Sequence, residues 1–295
     1  MNYRMSDIKC RTAQPDDVPE MVDLFLTTLG DLYTRNNITA VMPQPEVMIL
    51  EYEHVLSTGI FNVAESQGQI IAIAGAIIRD HLWYLSAFWV HPEFQCKKIG
   101  LPLLRHIWKE GAHKNATIFF TWSSIDLTAI TIYLRLGVFP YYEILVFEGK
   151  PTLLPIISHK FKTVPLEKQT EMELDNEVLS FRREVDHNYW LKCIKMQGRQ
   201  VLWNGKTIGY FYTNKGNIGP VVWNNPHWAD ILIILAFNEV ARTGNKIRIS
   251  IPGINHSALR IAINSGLRLT RYAHFMSTSD FAHMRQYIPS GPSLY

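Results

Sequence analysis

The hydrophobic pattern changes twice within the segment from Leu82 to Glu110. Leu82–Val90 is a continuous apolar and aromatic run, which is typical of a buried strand. His91-Pro92 ends that run, and a short polar loop follows it. From Leu101 apolar residues recur at helical spacing as far as Gly111, a residue type that often ends helices. The pattern therefore predicts a strand, a tight loop and a helix in direct succession.

The rest of the first half alternates between strand-like and helix-like patterns. The predicted elements are a strand at Ile8–Thr12, a helix at Pro19–Leu32, an irregular helical region at Tyr33–Ser57, a hairpin of strands at Phe61–Glu65 and Ile70–Arg79, a strand at Thr117–Trp122 and last strands within Pro140–Phe147. The hairpin and Leu82–Val90 form an antiparallel meander. The helix after Leu82–Val90 is a right-handed crossover to Thr117–Trp122, which makes these two strands parallel.

The second half of the chain repeats part of this pattern. An alanine and a glycine have the same spacing in both halves, at Ala129 and Gly137 and again at Ala258 and Gly266. The elements predicted before the second copy are a helix with Asn225 as N-cap, Pro226 at its first position and Gly244 beyond its end, and a strand at Ile247–Ile251. Two copies of one pattern predict two related domains.

The loop after Leu82–Val90 has the properties of an anion site. A strand that leads through a tight loop into a helix directs several backbone N–H groups to one point, with the positive end of the helix dipole behind them. The residues concerned are Gln95, Cys96, Lys97, Lys98, Ile99, Gly100 and Leu101. Pro102 ends the donor set because proline has no N–H. The expected ligand is a phosphate or pyrophosphate, and the two lysines either add charge to the site or are solvated. The loop Val222–Pro226 of the second half lacks these residues.

The composition is that of a globular protein without an obvious macromolecular partner. Of the 295 residues 47% are apolar and 19% charged, and the net charge is +3. Basic residues do not cluster with aromatic ones, so no nucleic-acid partner is expected. Cys10, Cys96 and Cys193 cannot all pair, which favours a reducing compartment, and neither they nor the histidines have the spacing of a metal site. No apolar run is long enough to cross a membrane or forms a leader at the start, so we expect a soluble cytoplasmic protein with no membrane partner.

Two motifs resemble the signatures of the GNAT N-acetyltransferase superfamily. The first family pattern is a strand ending in Val-x-Pro, an aromatic residue, and then Gln/Arg-x-x-Gly-x-Gly/Ala at a helix start. Val90, Pro92 and Phe94 match it, as do Gln95 and Gly100 in the loop, whereas Lys98 replaces the first glycine. A lysine at that position requires either a backbone that avoids positive φ or a cost in strain.

The second motif lies after the strand Thr117–Trp122. The family pattern is Asn-x-x-Ala-x-x-Leu/Phe-Tyr-x-x-x-Gly-Phe, and Ala129, Tyr133 and Gly137 fall in register with it. Asp126 takes the place of the asparagine. Both motifs occur in the family's order with a strand between them, which makes the resemblance more specific than either motif alone.

The resemblance implies an α+β fold with a mixed sheet, as two tandem GNAT acyltransferase domains. Residues 1–150 would form the GNAT N-acetyltransferase domain, which binds acyl-coenzyme A. Residues 151–170 would be a linker, residues 171–280 a degenerate GNAT-like domain and residues 281–295 a C-terminal tail.

The resemblance also implies an activity. A chain of this family transfers an acetyl group from acetyl-coenzyme A (acetyl-CoA) to a primary amine of a small-molecule or peptide acceptor. The pantetheine arm would pair with the strand at Phe88, Trp89 and Val90, where a backbone N–H polarises the thioester carbonyl. The loop amides from Cys96 to Leu101 would bind the pyrophosphate. Asp126 either contacts the pantetheine or caps its helix, and the cap has the stronger physical basis.

Tyr133 is the expected general acid of this reaction. A phenol with a pKa of about 10 is protonated at neutral pH and can donate a proton to a departing thiolate. The alternative is an ordinary helix tyrosine that packs beside Ala129 and Gly137. The general base remains open among Asp31, Glu53, His54, His81 and Glu143, or falls to a water chain.

A second function class remains open as well. The chain would then be a non-catalytic acyl-CoA-binding or protein-interaction module, and Lys98 and Asp126 would mark the loss of turnover. The acceptor, the length of the acyl chain and the oligomeric state are not determined by the sequence pattern.

Overall fold

The computed structural model describes residues 8–244 and 246–295, and the chain divides into two compact units between Thr121 and Trp122. We call the part up to Thr121 unit 1 and the part from Trp122 onward unit 2. Each unit has its own sheet strands and helices.

Unit 1 is built on a mixed sheet whose strands follow the chain order. Its elements are β1 (Ile8–Thr12), α1 (Val18–Arg35), α2 (Pro45–Thr58), β2 (Gly59–Ser66), β3 (Gln69–Arg79), β4 (Leu82–Val90), α3 (Gly100–His113) and β5 (Ile118–Ser123), the last of which extends two residues past the division. Strands β1 to β4 pair antiparallel, and β4 pairs with β5 in parallel. The predicted antiparallel meander and the parallel pairing of β4 with β5 are therefore confirmed.

Local chemistry explains the sharp connections of unit 1. The β2–β3 hairpin turns at Gln67 and Gly68, which both have positive φ (52° and 77°), as the two-residue hairpin turns that match strand twist require. Helix α3 packs closely on the sheet because Gly111 leaves room for Trp83, whose Nε1 would lie 2.6 Å from a Cβ at that position. The Trp108 ring stacks on Phe119 at 3.9 Å.

Unit 2 contains the remaining helices and strands. They are α4 (Leu127–Arg135), β6 (Phe139–Gly149), β7 (Phe161–Pro165), α5 (Lys168–Val178), α6 (Glu184–Asn188) with a π-helical turn at Tyr189–Cys193, β8 (Gln197–Trp203), β9 (Lys206–Asn214), β10 (Asn217–Trp223), α7 (Ala229–Arg242), β11 (Ile247–Pro252), α8 (His256–Asn264), β12 (Arg268–Ser277) and β13 (Tyr287–Ile288). The strand order is β12-β6-β11-β10-β9-β8-β7, and β13 pairs with β10.

The position of β6 explains why packing divides the chain before residue 150. In sequence, β6 directly follows the two family motifs of the first half. It nevertheless pairs with two strands of the second half, β11 on one side and β12 on the other, over most of its length. It therefore belongs to unit 2. Pro140–Phe147, predicted to hold more than one strand, lies within this single strand.

Two segments expected to lie outside the two domains contain regular structure. The predicted linker, residues 151–170, contains β7, which pairs along its whole length with β8, and the first turn of α5. The predicted tail, residues 281–295, contains β13, and both Tyr287 and Ile288 are fully buried. Both strands are short, and neither has an alternating pattern that distinguishes it from a loop.

The helix before β11 begins later than the sequence predicts. Asn225 does cap a helical turn, since its side chain accepts a hydrogen bond from the His227 N–H, but that turn is a 3₁₀ turn at Pro226–Trp228. The α-helix α7 starts at Ala229. Its buried face packs with β9, β10 and β11 into the main apolar core of unit 2.

No helix in residues 8–244 or 246–295 has the length and apolar character needed to cross a membrane. In the same residues no group of three or more His, Cys, Asp or Glu side chains is placed to hold a metal ion.

Candidate functional site

The loop between β4 and α3 folds back onto the end of its own strand. A 3₁₀ turn at Pro92–Phe94 follows β4, and Nδ1 of His91 accepts from the Glu93 N–H at 3.3 Å. The Gln95 side chain then donates from Nε2 to the Val90 carbonyl at 3.1 Å. This bond connects the motif glutamine to the last residue of β4, which holds the loop close to the strand.

The loop backbone contains two residues in the left-handed conformation. Cys96 has φ of 60° and Lys98 has φ of 62°, whereas Ile99 is right-handed helical. Successive residues of opposite hand turn their N–H groups toward one point, which is how backbone nests bind anions. A glycine would adopt the backbone conformation of Lys98 without strain, whereas a lysine adopts it at a cost. Of the two outcomes expected for this lysine, the strained backbone is the one observed.

The start of α3 has its first amides without an intrahelical acceptor. The helix begins at Gly100, and no side chain caps it at Ile99. The N–H groups of Gly100 and Leu101 belong to the first turn, where the helix itself supplies no partner. Pro102 has no N–H, and the next amide, that of Leu103, bonds to the Ile99 carbonyl at 3.4 Å. The first turn therefore presents two amide donors together with the positive end of the helix dipole.

Gly100 allows the helix start to approach β4 closely. A Cβ at this position would lie 2.9 Å from Cζ of Phe88 and 3.3 Å from Cγ2 of Val90. Ile99 beside it is buried, which anchors the end of the loop. The motif glycine is thus required by packing within unit 1, whatever the loop binds.

Positive charge lies on the exposed side of the loop. Cys96, Lys97 and Lys98 are all exposed, and the Lys97 ammonium lies 4.8 Å from the centre of the Phe94 ring. Such a contact holds the Lys97 side chain over the 3₁₀ turn. Both ammonium groups raise the local positive potential of the loop.

The end of β4 extends beyond its pairing with β5. The parallel register runs from Leu82 to Leu85 and stops there, while pairing with β3 continues to Val90. Phe88 contacts the start of α3, whereas the Trp89 ring lies 5.0 Å from Phe25 of α1, on the opposite face. The three predicted strand residues, Phe88, Trp89 and Val90, are all half-buried.

The second motif forms helix α4 of unit 2. Oδ1 of Asp126 accepts from the N–H groups of Thr128 at 2.8 Å and Ala129 at 3.0 Å, which makes Asp126 the N-cap of the helix. Gly137, with φ of 80°, ends the helix in the left-handed conformation that is usual just beyond a helix C-terminus. The motif residues therefore define both ends of α4.

Tyr133 is the one buried residue of α4. Burial raises the pKa of its phenol well above the ordinary range, and the Asp126 carboxylate adds to the shift. The phenol consequently stays protonated at neutral pH. Ala262 takes the equivalent place in α8 and is fully buried as well.

The residues considered as general bases are spread over the fold. Asp31 pairs with Arg35 at 2.8 Å, and Nε2 of His54 lies 3.4 Å from Nη2 of Arg79, a cation. Glu143 lies on β6 in unit 2. Within either unit no pairing of these groups marks one of them as the base.

The sequence interpretation missed a buried charged cluster in unit 2. Glu171 and Asp175 lie four residues apart on α5, and both are buried beside Arg183 and His187. Their spacing places them on the same face of α5 as the apolar residue Leu174. That position on an apolar helix face was the signal in the sequence that could have indicated their burial. Which charged group pairs with which depends on tertiary contacts and could not be predicted from the sequence.

Comparisons with known proteins agree with the two motifs. Residues 26–138 match the model of the acetyltransferase (GNAT) family. Among curated proteins, none matches the sequence.

Solved structures resemble the chain over nearly all of its length. A putative acetyltransferase from Pyrococcus horikoshii has 16% identity and a TM-score of 0.78, over 100% of this chain and 98% of its own. A GCN5-related N-acetyltransferase from Sphaerobacter thermophilus has 15% identity and a TM-score of 0.66, over 93% and 96%. A tandem GNAT protein from the clavulanic acid biosynthesis pathway has 12% identity and a TM-score of 0.62, over 92% and 98%.

At these identities the likeness to solved structures establishes the fold alone. The family model relates residues 26–138 to the acetyltransferase (GNAT) family. Residues 26–138 therefore match the acetyltransferase (GNAT) family, and the chain as a whole has the mixed α/β fold of these solved acetyltransferases, a tandem GNAT protein among them.

Proposed function

We propose that the chain is an N-acetyltransferase that moves an acetyl group from acetyl-CoA to the primary amine of a small-molecule or peptide acceptor. The observation that supports this best is the loop from Gln95 to Leu101, where two left-handed residues precede an uncapped helix start. Backbone N–H groups arranged in this way favour a pyrophosphate.

The loop and the end of β4 supply the cofactor contacts of this proposal. The amides from Cys96 to Leu101 bind the pyrophosphate, and the ammonium groups of Lys97 and Lys98 add attraction to its charge. The pantetheine arm follows β4 at Phe88, Trp89 and Val90, as the family resemblance implies. Asp126 caps α4 and so orients that helix, which makes direct contact with the cofactor unnecessary.

The chemistry is a direct attack by the amine. The nitrogen lone pair forms a C–N bond to the thioester carbonyl, the C–S bond breaks, and the departing sulfur takes a proton. Tyr133 supplies that proton from its phenol, and the amine's own proton leaves to a base or to water. This role for Tyr133 rests on its place in the second motif, and its raised pKa means that the phenol carries its proton at neutral pH.

A charge reversal at Lys98 tests cofactor binding. We expect Lys98→Glu to weaken acetyl-CoA binding at least about tenfold, equivalent to about 1.4 kcal/mol, because a carboxylate would face the pyrophosphate. Calorimetry measures the affinity, and Lys109→Glu, an exposed position about 14 Å farther along α3, is the matched control. Equal affinities for the two variants would contradict the loop as the cofactor site. Gly100 is unsuitable for this test because a side chain there collides with Phe88.

The rival is a module that binds acyl-CoA without turnover, and the strained Lys98 backbone is the observation that favours it. Tyr133→Phe separates the two. If Tyr133 is the acid, kcat falls by about 10²–10⁴ while acetyl-CoA binding stays unchanged. Tyr141→Phe, an exposed tyrosine on β6, controls for the loss of a hydroxyl. An unchanged kcat in Tyr133→Phe would remove it from the mechanism, and absence of any transferase rate in the wild type would leave the binding module.

A further inference from the structure

The strand edge beside the parallel crossover differs between the two halves of the chain. In unit 1, β4 leads into the loop and α3, and its parallel register with β5 ends at Leu85. In unit 2, β10 leads into α7 in the same way, and its parallel register with β11 covers Asn217 and Ile218 only. Beyond that point β13 pairs antiparallel with β10, joining Val221 to Ile288 and Val222 to Tyr287.

The occupied edge of β10 is the one that faces β11. Strand β9 takes the other edge along most of β10, so β11 and β13 share the remaining edge. The Asn255 side chain, just after β11, donates to the Tyr287 carbonyl at 3.5 Å. Strand β13 thus fills the gap that opens where β10 and β11 diverge.

A glutamine occupies the same place in both halves but comes from different parts of the chain. In unit 1, Nε2 of Gln95 donates to the carbonyl of Val90, the last residue of β4. In unit 2, Nε2 of Gln286 donates to the carbonyl of Trp223, the last residue of β10, at 2.9 Å. Gln286 directly precedes β13, so the C-terminal segment supplies the contact that the loop supplies in unit 1.

A fully buried arginine holds this segment in place. The Arg183 guanidinium uses all five of its N–H groups: Nε and Nη2 bond to the Asp175 carboxylate, Nη2 also to the Tyr210 hydroxyl, and Nη1 to the Tyr287 hydroxyl at 2.7 Å and the Tyr295 carbonyl at 3.1 Å. Two of the five bonds therefore go to the segment. The Tyr295 ring packs on Phe275 with centres 5.3 Å apart.

The segment also passes directly over a glycine of β10. Gly219 has φ of 133°, and a Cβ there would overlap the carbonyl oxygen of Pro289 and lie 3.0 Å from its carbon. The strand thus has no side chain at the point where the segment crosses it.

We propose that residues 284–295, here called the strap, occupy in unit 2 the strand edge that the pantetheine arm of acetyl-CoA uses in unit 1. The identity of the unit 1 ligand rests on the proposed function, whereas the place of the strap does not. The chain accordingly takes one acetyl-CoA, and the edge of β10 is a strand-binding cleft closed by the chain's own peptide. Closure also removes an open strand edge, which would otherwise accept a strand from another molecule.

Hydrogen exchange on the whole chain tests the strap directly. In the wild type, peptides from residues 284–295 exchange as slowly as those of β9, because β13 is buried in the sheet. Gly219→Ala pushes the strap away and accelerates exchange there at least about tenfold, with β11 and α7 unchanged. Gly205→Ala is the matched control, since Gly205 also has positive φ (80°) but open space around its Cβ. Tyr295→Ala loosens the strap without altering β10 and gives the same local acceleration.

Rapid exchange of residues 284–295 in the wild type would overturn the strap, as would unaltered protection in Tyr295→Ala. Calorimetry with acetyl-CoA supplies a separate readout. One molecule per chain, weakened by Lys98→Glu, supports the proposal, whereas two molecules per chain, or one of unchanged affinity in Lys98→Glu, overturns it. Absence of binding to the wild type would refute the cofactor assignment in unit 1, and the exchange data would still decide the place of the strap.

Discussion

At the residue scale, the backbone at Lys98 has a conformation that glycine adopts more easily than lysine. Its φ of 62° lies in the left-handed region, where a Cβ is crowded by the neighbouring carbonyl. The loop keeps this shape because Gln95 connects it to Val90 on one side and Ile99 is buried on the other. Tertiary contacts thus impose on Lys98 a backbone geometry that a glycine would adopt without cost.

Replacing this lysine with glycine tests the strain. We expect Lys98→Gly to raise the free energy of unfolding by about 1 kcal/mol, because the left-handed penalty disappears. Urea unfolding followed by circular dichroism measures the change. Lys97→Gly is the control: Lys97 lacks a positive φ, so glycine there adds only unfolded-state entropy and should destabilise the chain. Equal effects of the two substitutions would show that Lys98 is not strained.

At the scale of secondary-structure elements, helix α4 depends on its two ends. It spans Leu127–Arg135, a length at which an isolated helix is not stable in water. Asp126 satisfies two of its first N–H groups, and Gly137 ends it. The position of Tyr133 in the helix depends on these ends, so the two signature residues that flank it have a structural role independent of any ligand.

Removal of the cap has a predictable cost. Asp126→Ala should lower the free energy of unfolding by about 1 kcal/mol, because two N–H groups lose their acceptor. Thr128→Ala serves as control, since this variant keeps the backbone N–H of residue 128 that donates a hydrogen bond to the Asp126 carboxylate. Thermal and urea unfolding give the difference, and a Tm equal to that of Thr128→Ala would contradict the cap.

At the scale of the whole molecule, the most buried charges lie in unit 2. Burial is the largest single influence on Asp175 and opposes its ionisation, but the Arg183 guanidinium and His187 together outweigh burial and hold the pKa of that carboxyl below its ordinary value. Glu171 behaves in the opposite way, since burial raises its pKa despite the nearby His187. Because Arg183 also holds the strap, this cluster links α5 to the C-terminal segment.

Neutralising Asp175 should be costly at neutral pH. Asp175→Asn leaves Arg183 buried without its counter-charge, and the free energy of unfolding should fall by about 3–5 kcal/mol. Asp23→Asn, an exposed carboxyl on α1, should have little effect. Urea unfolding at pH 7 gives both values.

The pH dependence of this difference follows from the lowered pKa. The folded state binds the Asp175 proton less tightly than the unfolded chain does, so ionised Asp175 stabilises the fold above its unfolded pKa, and this contribution is lost as the pH falls through the folded pKa. Glu171, with its raised pKa, contributes stability at low pH that is lost as the pH rises, and it does so in both proteins. The difference in the free energy of unfolding between wild type and Asp175→Asn should therefore become smaller below about pH 4. A constant gap down to pH 3 would contradict an ionised Asp175.

The sequence by itself determined the local elements and both family motifs. β4 has the predicted bounds, Leu82–Val90, and the Asp126 cap and the final glycine of α4 were also readable, because such signals act within a few residues. Tertiary structure alone decided that β6 lies between β11 and β12, that residues 161–165 and 287–288 are strands, and which partners surround Arg183. These outcomes depend on pairing between residues far apart in the chain. A single sequence shows which residues can form a strand or carry a charge, but the partner of each is selected only when the chain packs.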